Sequence, residues 1–346
     1  MNYRTFGKLG WSVSEIGIGT WAFGGGGWGP QDDSESRKAL HTAIDHGINF
    51  IDTAQMYGRG RSEKIIGEVL KERTEEVFIA TKVRRHPEAP LPFTEYADAN
   101  KYYPREYIIE ECEKSLRRLG REYIDLYQFH NWASSFNRAD ELFEAMDQLK
   151  RDGKICAVGV SVPDNTQDCV IGAIIDNRID AVQLLYNVFE QLPQYNLLPV
   201  CEKYNIGVIS RVPLYGGALT GKFSKTTQFH PDDGRRKIFG GKKMEMLINY
   251  VEKLKSIKEK YHPELSLAQH AIGFCLSHPA VSTVIPGMRK PEQVLHNMKA
   301  VGTGICSEQE LNELRAFAKV RTIIMEDEKS LFGAIKRGVK RYILRT

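Results

Sequence analysis

"GIGTWAFGGGGWG", residues 17–29, admits two incompatible readings. Gly17, Gly19 and Ala22 fit the G-x-G-x-x-A form of a dinucleotide-binding turn. In that turn the glycines open a helix whose N-terminus receives a pyrophosphate. Here Gly24 to Gly27 run without interruption, Gly29–Pro30 follow, and the first good helix candidate starts near Ser34. Asp52, which ends the second strand-like run, leads into "TAQMYG" and not into a ribose-binding turn. The stretch therefore reads as a strand running into a flexible loop, not as half of a Rossmann unit.

Beyond it, short β-prone apolar runs recur: "IGIGT" (16–20), "INFID" (48–52), "VFIAT" (77–81), "YIDLYQFH" (123–130), "ICAVGVS" (155–161), "AVQLLYN" (181–187), "IGVISR" (206–211) and "VSTVIPG" (281–287). Helix candidates lie between them at Ser34–His46, Ser62–Lys71, Arg105–Leu119, Asp140–Lys150 and Asn165–Ile175, several opening on a capping Ser, Asp or Asn. Gly47, Gly120 and Gly153 suit left-handed C-terminal caps. Eight strands alternating with helices predict an α/β fold, a closed (β/α)8 TIM barrel. Strands buried on both faces read as near-continuous apolar runs, as most of these do. "YRTFGKLGWSVSEI" predicts an N-terminal hairpin, Arg4–Phe6 and Ser12–Ser14, plugging the barrel floor. The C-terminus adds extra helices and a tail. Insertions at residues 84–103 and 221–241 follow the third and seventh strands and so overhang the C-terminal face, where barrel active sites lie.

No linker, repeat or low-complexity segment divides the 346 residues, so a single domain spanning 1–346 is expected, with 320–346 as a tail that could serve as a lid. The chain is 42% apolar and 27% charged, and its net charge of +4 is too mild to make nucleic acid the main partner. The basic end "KRGVKRYILRT" reads as a solvated end or a cover over the active site rather than a membrane or nucleic-acid contact. No signal-peptide pattern and no apolar run near the ~18 residues of a membrane span are present, which predicts a cytoplasmic protein. Six scattered cysteines lack a C-x-x-C pair and are expected to be free, mostly buried thiols. Nine histidines show no ligand spacing, so no metal is expected.

Three ionisable residues stand at matching strand ends: Asp52 after "INFI", Lys82 after "VFIAT" and His130 after "YIDLYQF". Tyr57 lies five residues beyond Asp52. Barrel strand ends converge on one mouth although distant in sequence. A phenol is a reluctant acid, and a nearby ammonium makes it a better one. A carboxylate would hold that ammonium, and an imidazole facing the same oxygen would orient a carbonyl. The set suits protonation of a carbonyl oxygen as hydride reaches carbon, and not acyl transfer, which needs a nucleophile beside its base. Short-chain dehydrogenase chemistry is excluded by the absence of Y-x-x-x-K.

"FIDTAQMYGRGRSEKIIGEVL", "IATKV", "YIDLYQFHNW", "AVGVS", "VQLLYN", "PLYGGALTGKF" and "VIPGMRKPEQVLHN", taken together, resemble the successive signatures of the aldo-keto reductase family over about residues 3–320. The resemblance implies a catalytic tetrad of Asp52, Tyr57, Lys82 and His130. Tyr57 would be the general acid, Lys82 would lower its pKa, Asp52 would anchor Lys82, and His130 would orient the carbonyl. It also implies NADP(H) held extended across the mouth. Ser161 and Gln183 would hold the carboxamide, with Asp52 nearby, and Gly19, Thr20 and Trp21 would border the nicotinamide and substrate. Pro213, Leu214, Gly217, Leu219 and Lys222 match the pyrophosphate clamp, and Gly287, Arg289, Gln293 and Asn297 the adenosine-phosphate region. The helix starting near Pro291 adds free N–H groups and a positive dipole end there.

Three positions depart from the family pattern. Val162 replaces the asparagine of "GVSNF", His296 stands where glutamate often meets the adenine, and Arg211 stands where a tyrosine commonly stacks on the nicotinamide. A guanidinium can stack too, but it should disfavour the cationic oxidised ring and so favour NADPH over NADP+. NADP over NAD is expected from Arg289. The aromatic residues Trp21, Phe23, Trp28 and Trp132 predict a partly apolar pocket for a small carbonyl or alcohol substrate. The leading reading is a reductase of aldehydes, ketones or sugars. The alternatives are a polyol or sugar dehydrogenase working oxidatively, with Tyr57 as base, and a cofactor-sensing subunit with weak turnover.

Overall fold

Period-two alternation along the strands organises the centre of the molecule, a computed structural model describing residues 1–25, 27–302 and 306–326. Strands β1 (Tyr3–Phe6) and β2 (Trp11–Ser14) form the antiparallel hairpin. Eight parallel strands follow: β3 (Ile18–Gly19), β4 (Phe50–Asp52), β5 (Phe78–Val83), β6 (Ile124–Phe129), β7 (Ile155–Ser161), β8 (Ala181–Leu185), β9 (Gly207–Arg211) and β10 (Thr283–Ile285). Each pairs with its sequence neighbours, and bridges Ile16↔Val284 and Gly19↔Gly287 join the last to the first. The predicted barrel and hairpin are both present.

Residues two apart on a strand face the same side. Phe50, Ala80, Leu126, Ala157, Ala181, Ile209 and Ile285 form an apolar cluster inside the barrel with Phe6 and Val13 of the hairpin. Trp11 extends it, stacking on Phe6 at 5.7 Å and Phe78 at 5.0 Å. Phe6 needs Gly207: a Cβ there would collide with the Phe6 ring. Two residues further along the same strands stand Asp52, Lys82, Gln128, Gln183 and Arg211. The interior thus changes from apolar floor to polar mouth within one pleat.

Outside, helices occupy Asp33–Asp45, Arg61–Leu70, Arg105–Leu119 and Asp140–Arg151, each within two residues of its expected bounds. Gly47, Gly120 and Gly153 have φ of 83°, 64° and 68°, the left-handed conformation expected of them. The expected helix Asn165–Ile175 is instead a 3-10 turn, Gln167–Val170, followed by a short helix, Ile171–Ile175. Gln167 is the cause. Its amide donates to the Leu185 carbonyl at 3.1 Å and accepts from the Leu185 N–H at 2.8 Å, pinning the segment to the end of β8.

Helices Leu197–Lys203, Lys242–Tyr261, Leu267–Leu276 and Pro291–Met298 continue the outer ring, and Glu308–Leu314 and Val320–Glu326 are the extra C-terminal helices. Residues 327–346, including most of the expected lid and the whole basic end, lie outside the described residues. Among the described residues no helix is long and apolar enough to cross a membrane. Five cysteines are buried and Cys156 is exposed, and no disulfide joins them.

Candidate active site

Asp52 ends β4, Lys82 sits one residue from the end of β5, and His130 follows β6, so the parallel barrel brings all three to one rim. Lys82 is fully buried, and its Nζ donates to Asp52 Oδ1 at 2.6 Å and to the Thr53 carbonyl at 2.7 Å. The same Nζ lies 3.5 Å from the Tyr57 hydroxyl. The half-buried Tyr57 ring meets the His130 ring edge-on at 6.0 Å and stacks under Trp21 at 6.1 Å. Among the described residues the Tyr57 proton has no acceptor, and His130 Nδ1 is buried without a partner.

A second layer holds this arrangement. Ser62 donates to Thr20 Oγ1 at 2.7 Å, and Thr20 Oγ1 donates to the Asp52 carbonyl at 2.8 Å. Glu63, fully buried, accepts from Thr81 at 2.7 Å and pairs with Arg118 at 2.5 Å. Glycine from the opening stretch acts here as well. The backbone of Gly24 crosses that of Gly58 so closely that a Cβ on Gly24 would strike the Gly58 nitrogen. The loop carrying Tyr57 is thereby fixed against the first loop. Only a 3-10 turn, Trp21–Gly24, follows β3, and the first α-helix waits until Asp33, as the rejection of the dinucleotide turn requires.

Electrostatics at the rim follow from burial. Burial pushes the Tyr57 phenol well above its ordinary pKa, Asp52 adds to the rise, and Arg211 opposes it. Burial is the largest cause of that rise and outweighs the lowering expected from a neighbouring cation, although the Lys82 ammonium lies 3.5 Å from the hydroxyl. Burial also lowers the Lys82 pKa, against the pull of Asp52. His130 falls well below the ordinary histidine range through burial, then Lys82, then Arg211, and is neutral near pH 7.

Ser161 and Gln183 are register partners on β7 and β8, both buried at the mouth. Gln183 donates to Asp52 Oδ1 at 2.6 Å, a bond the sequence did not suggest; its backbone carbonyl accepts from the Val162 N–H at 3.0 Å, while its side-chain Oε1 has no donor among the described residues. Gly19 lies on β3, and the Thr20 hydroxyl is engaged beneath it, which leaves Trp21, 48% exposed, as the side chain of that trio open to the mouth. Arg211 ends β9. The loop beyond it is strained: Val212 and Tyr215 have φ of 58° and 44°, values that β-branched and aromatic residues rarely adopt. Pro213 is buried, Leu214 and Gly217 are half-buried, and Lys222 is exposed. Leu219 is fully buried, backbone included, and so is not open to the mouth.

Gly287 is exposed after β10. Arg289 donates to the Trp28 carbonyl at 3.1 Å and also to Gln31 Oε1 and the Pro30 carbonyl, with no carboxylate in ion-pair range among the described residues. Gln293 accepts from the Arg289 N–H at 2.6 Å, and Asn297 is buried. The loop after β3 meets the loop after β9, where Gly234 N–H donates to the Gly27 carbonyl at 3.0 Å and Arg235 lies 5.0 Å over the Trp28 ring.

Two of the four aromatic residues expected at the mouth are elsewhere. Phe23 and Trp132 are fully buried, and Trp132 packs among Phe129, Phe136 and Phe143 while its indole N–H reaches Asn137. A Trp two residues past a strand end was free to turn inward, and the apolar cluster beneath the loop draws it there. Away from the mouth, His270, Cys306 and Glu310 bring donor atoms within 4.8 Å of one another, a grouping invisible in their sequence spacing. There Glu310 pairs with His270 at 2.6 Å and His262 at 3.1 Å, so its buried carboxylate is satisfied by two imidazoles.

Relatives share this architecture and length. The aldo-keto reductase YhdN of Bacillus subtilis (strain 168) is 32% identical over 90% of this chain and 92% of its own. The NADH-specific methylglyoxal reductase of Escherichia coli (strain K12) is 31% identical over 85% of this chain and 91% of its own. The structure of the glycerol dehydrogenase AKR11B4 from Gluconobacter oxydans superposes with a TM-score of 0.73 at 31% identity, covering 91% of this chain and 94% of that one. The aldo/keto reductase family model matches residues 15–319, and with a barrel rim built as described the chain belongs to that family of oxidoreductases using nicotinamide cofactors.

Proposed function

We propose that the chain is a cytoplasmic NADP(H)-dependent reductase of small aldehydes or ketones, with Tyr57 as general acid. The observation that carries this is the buried chain from Asp52 through Lys82 to the Tyr57 hydroxyl, faced by a neutral His130. Tyr57 keeps its proton at neutral pH and has no acceptor for it among the described residues, so the proton is available to a carbonyl oxygen. His130 would orient that oxygen, and Lys82, held by Asp52 and the Thr53 carbonyl, would stabilise the phenolate left behind. Bound, the cofactor supplies the hydride. Ser161 and the free side-chain carbonyl of Gln183 suit its carboxamide, whereas Val162 offers only backbone. The half-exposed Trp21 and the partly buried Trp28 give the substrate an apolar wall.

A polyol dehydrogenase is the second reading, favoured by the glycerol dehydrogenase relative. The raised phenol pKa supports the reductive direction, since a base of that pKa is mostly protonated near neutrality. The sign of the pH dependence follows. The acid is competent below its pKa and lost above it, and His130 is already neutral. Reductive kcat should therefore hold from about pH 7 to about pH 9 and fall only in more alkaline solution. A stopped-flow pH series checks this, and a descending limb near neutrality would contradict the role given to Tyr57.

NADP is preferred over NAD on the strength of Arg289, whose guanidinium hydrogen-bonds to neutral acceptors and has no carboxylate in ion-pair range among the described residues. Oxidation of NADPH by a panel of carbonyl compounds, followed by loss of reduced-cofactor absorbance, tests the activity itself. No turnover with any aldehyde or ketone would leave the sensing-subunit reading. In the same assay Arg289→Ala should weaken NADPH about tenfold or more and leave NADH nearly unchanged. Equal weakening of both would remove the 2′-phosphate assignment.

A further inference from the structure

Arg211 does not stand alone at the mouth. Its Nη2 donates to the Val162 carbonyl at 3.0 Å and to Asp164 Oδ1 at 2.5 Å, while its Nε is buried without a partner. The other oxygen of Asp164, Oδ2, lies 3.4 Å from Nη2 of Arg321. Arg321 belongs to the C-terminal helix Val320–Glu326. It also donates to Asn165 Oδ1 at 3.0 Å and pairs with Glu190 Oε2 at 3.2 Å, and its backbone N–H reaches the Phe189 carbonyl at 3.0 Å. Phe317, just before that helix, stacks on Phe189 at 6.1 Å. The helix is therefore seated on the loops following β7 and β8, through a line of alternating charges that ends at Arg211.

Asp164 is the shared member of that line. One oxygen serves each arginine, and the two guanidinium groups together hold its carboxyl below the ordinary aspartate pKa despite partial burial. A carboxylate divided between two cations offsets each one incompletely. The net positive charge that Arg211 presents to the mouth thus depends on how much of Asp164 is engaged by Arg321, and hence on whether the C-terminal helix is seated.

We propose that Asp164 is a positioning residue that, through its division between Arg211 and Arg321, makes the seating of the C-terminal helix set the preference of the site for reduced over oxidised cofactor. This rests on the reading above that Arg211 borders the nicotinamide. The oxidised ring carries a positive charge and the reduced ring does not, while the phosphates are common to both forms, so a change in the charge on Arg211 alters the ratio of the two affinities. Removing the Asp164 carboxylate exposes the full charge of Arg211 and should disfavour NADP+. Removing the Arg321 charge returns the carboxylate to Arg211 and should favour NADP+. The two changes act on one network in opposite directions.

Fluorescence titrations of the full-length chain with NADP+ and NADPH test this in the wild type, Asp164→Asn and Arg321→Gln, with thermal melting as a control of folding. Asp164→Asn should weaken NADP+ relative to NADPH by roughly three- to tenfold, and Arg321→Gln should strengthen it relative to NADPH by roughly two- to threefold. A purely structural role would weaken both cofactor forms alike. Shifts of the same sign in the two variants, or an unchanged ratio in both, overturn the proposal while leaving the enzyme assignment intact. Should one variant fail to fold, the sign of the shift in the other decides. A wild type that binds neither cofactor form removes the functional reading and this proposal with it.

Discussion

Tyr57→Phe should lower the single-turnover rate of carbonyl reduction about a thousandfold and leave NADPH affinity within about twofold. The substitution deletes one hydroxyl. Trp21 still stacks on the ring at position 57, and His130 still meets it edge-on, so the mouth keeps its shape. What disappears is the proton donor, and among the described residues no other proton-donating side chain is within hydrogen-bond range of that hydroxyl except the Lys82 ammonium. Lys82 is a poor substitute because Asp52 and the Thr53 carbonyl hold two of its three N–H groups and its loss of a proton would leave the buried Asp52 carboxylate without a cation. A loss of less than about tenfold, with hydride transfer shown to limit the rate, would mean that the proton comes from elsewhere.

Lys82→Met should abolish measurable turnover and also destabilise the fold by about 3–5 kcal/mol, because it strands a buried carboxylate. Asp52 is 2% exposed, and without the ammonium its remaining side-chain partner is the neutral amide of Gln183 at 2.6 Å. The two losses can be separated. Adding Asp52→Asn to Lys82→Met removes both charges, and most of the stability should return, since a buried ion pair replaced as a unit is often nearly neutral. Activity should not return, because the phenolate would still lack its cation. Denaturant melts of the single and double variants, beside single-turnover rates, distinguish these outcomes. A double variant recovering activity along with stability would reduce Lys82 to a structural residue.

Tyr57, Lys82, Asp52 and His130 were legible in the chain because a parallel barrel converts position at a strand end into position in space. Their positions at or just beyond the ends of three apolar runs are sufficient once the barrel is accepted, and the barrel follows from the count of eight such runs. The cap glycines Gly47, Gly120 and Gly153 were legible for the same local reason: each follows a helical stretch and takes a conformation that side chains resist. The helix Leu267–Leu276 is also marked in the sequence, by the reciprocal cap between Ser266 and Gln269. Trp132 and Phe23 were misplaced because aromatic character marks burial and mouth lining equally.

Local period, capping and turn chemistry make the alternation of strand and helix, the hairpin beneath the barrel and the titratable groups at its rim readable along the chain. Folding in three dimensions set the rest: Lys82 is buried between Asp52 and Tyr57, Gly24 and Gly58 lock the first two loops together, and Asp164 lies between Arg211 and Arg321. Those outcomes depend on distances of a few ångströms between residues far apart in the chain, and pairwise electrostatics and steric contact change steeply over that range.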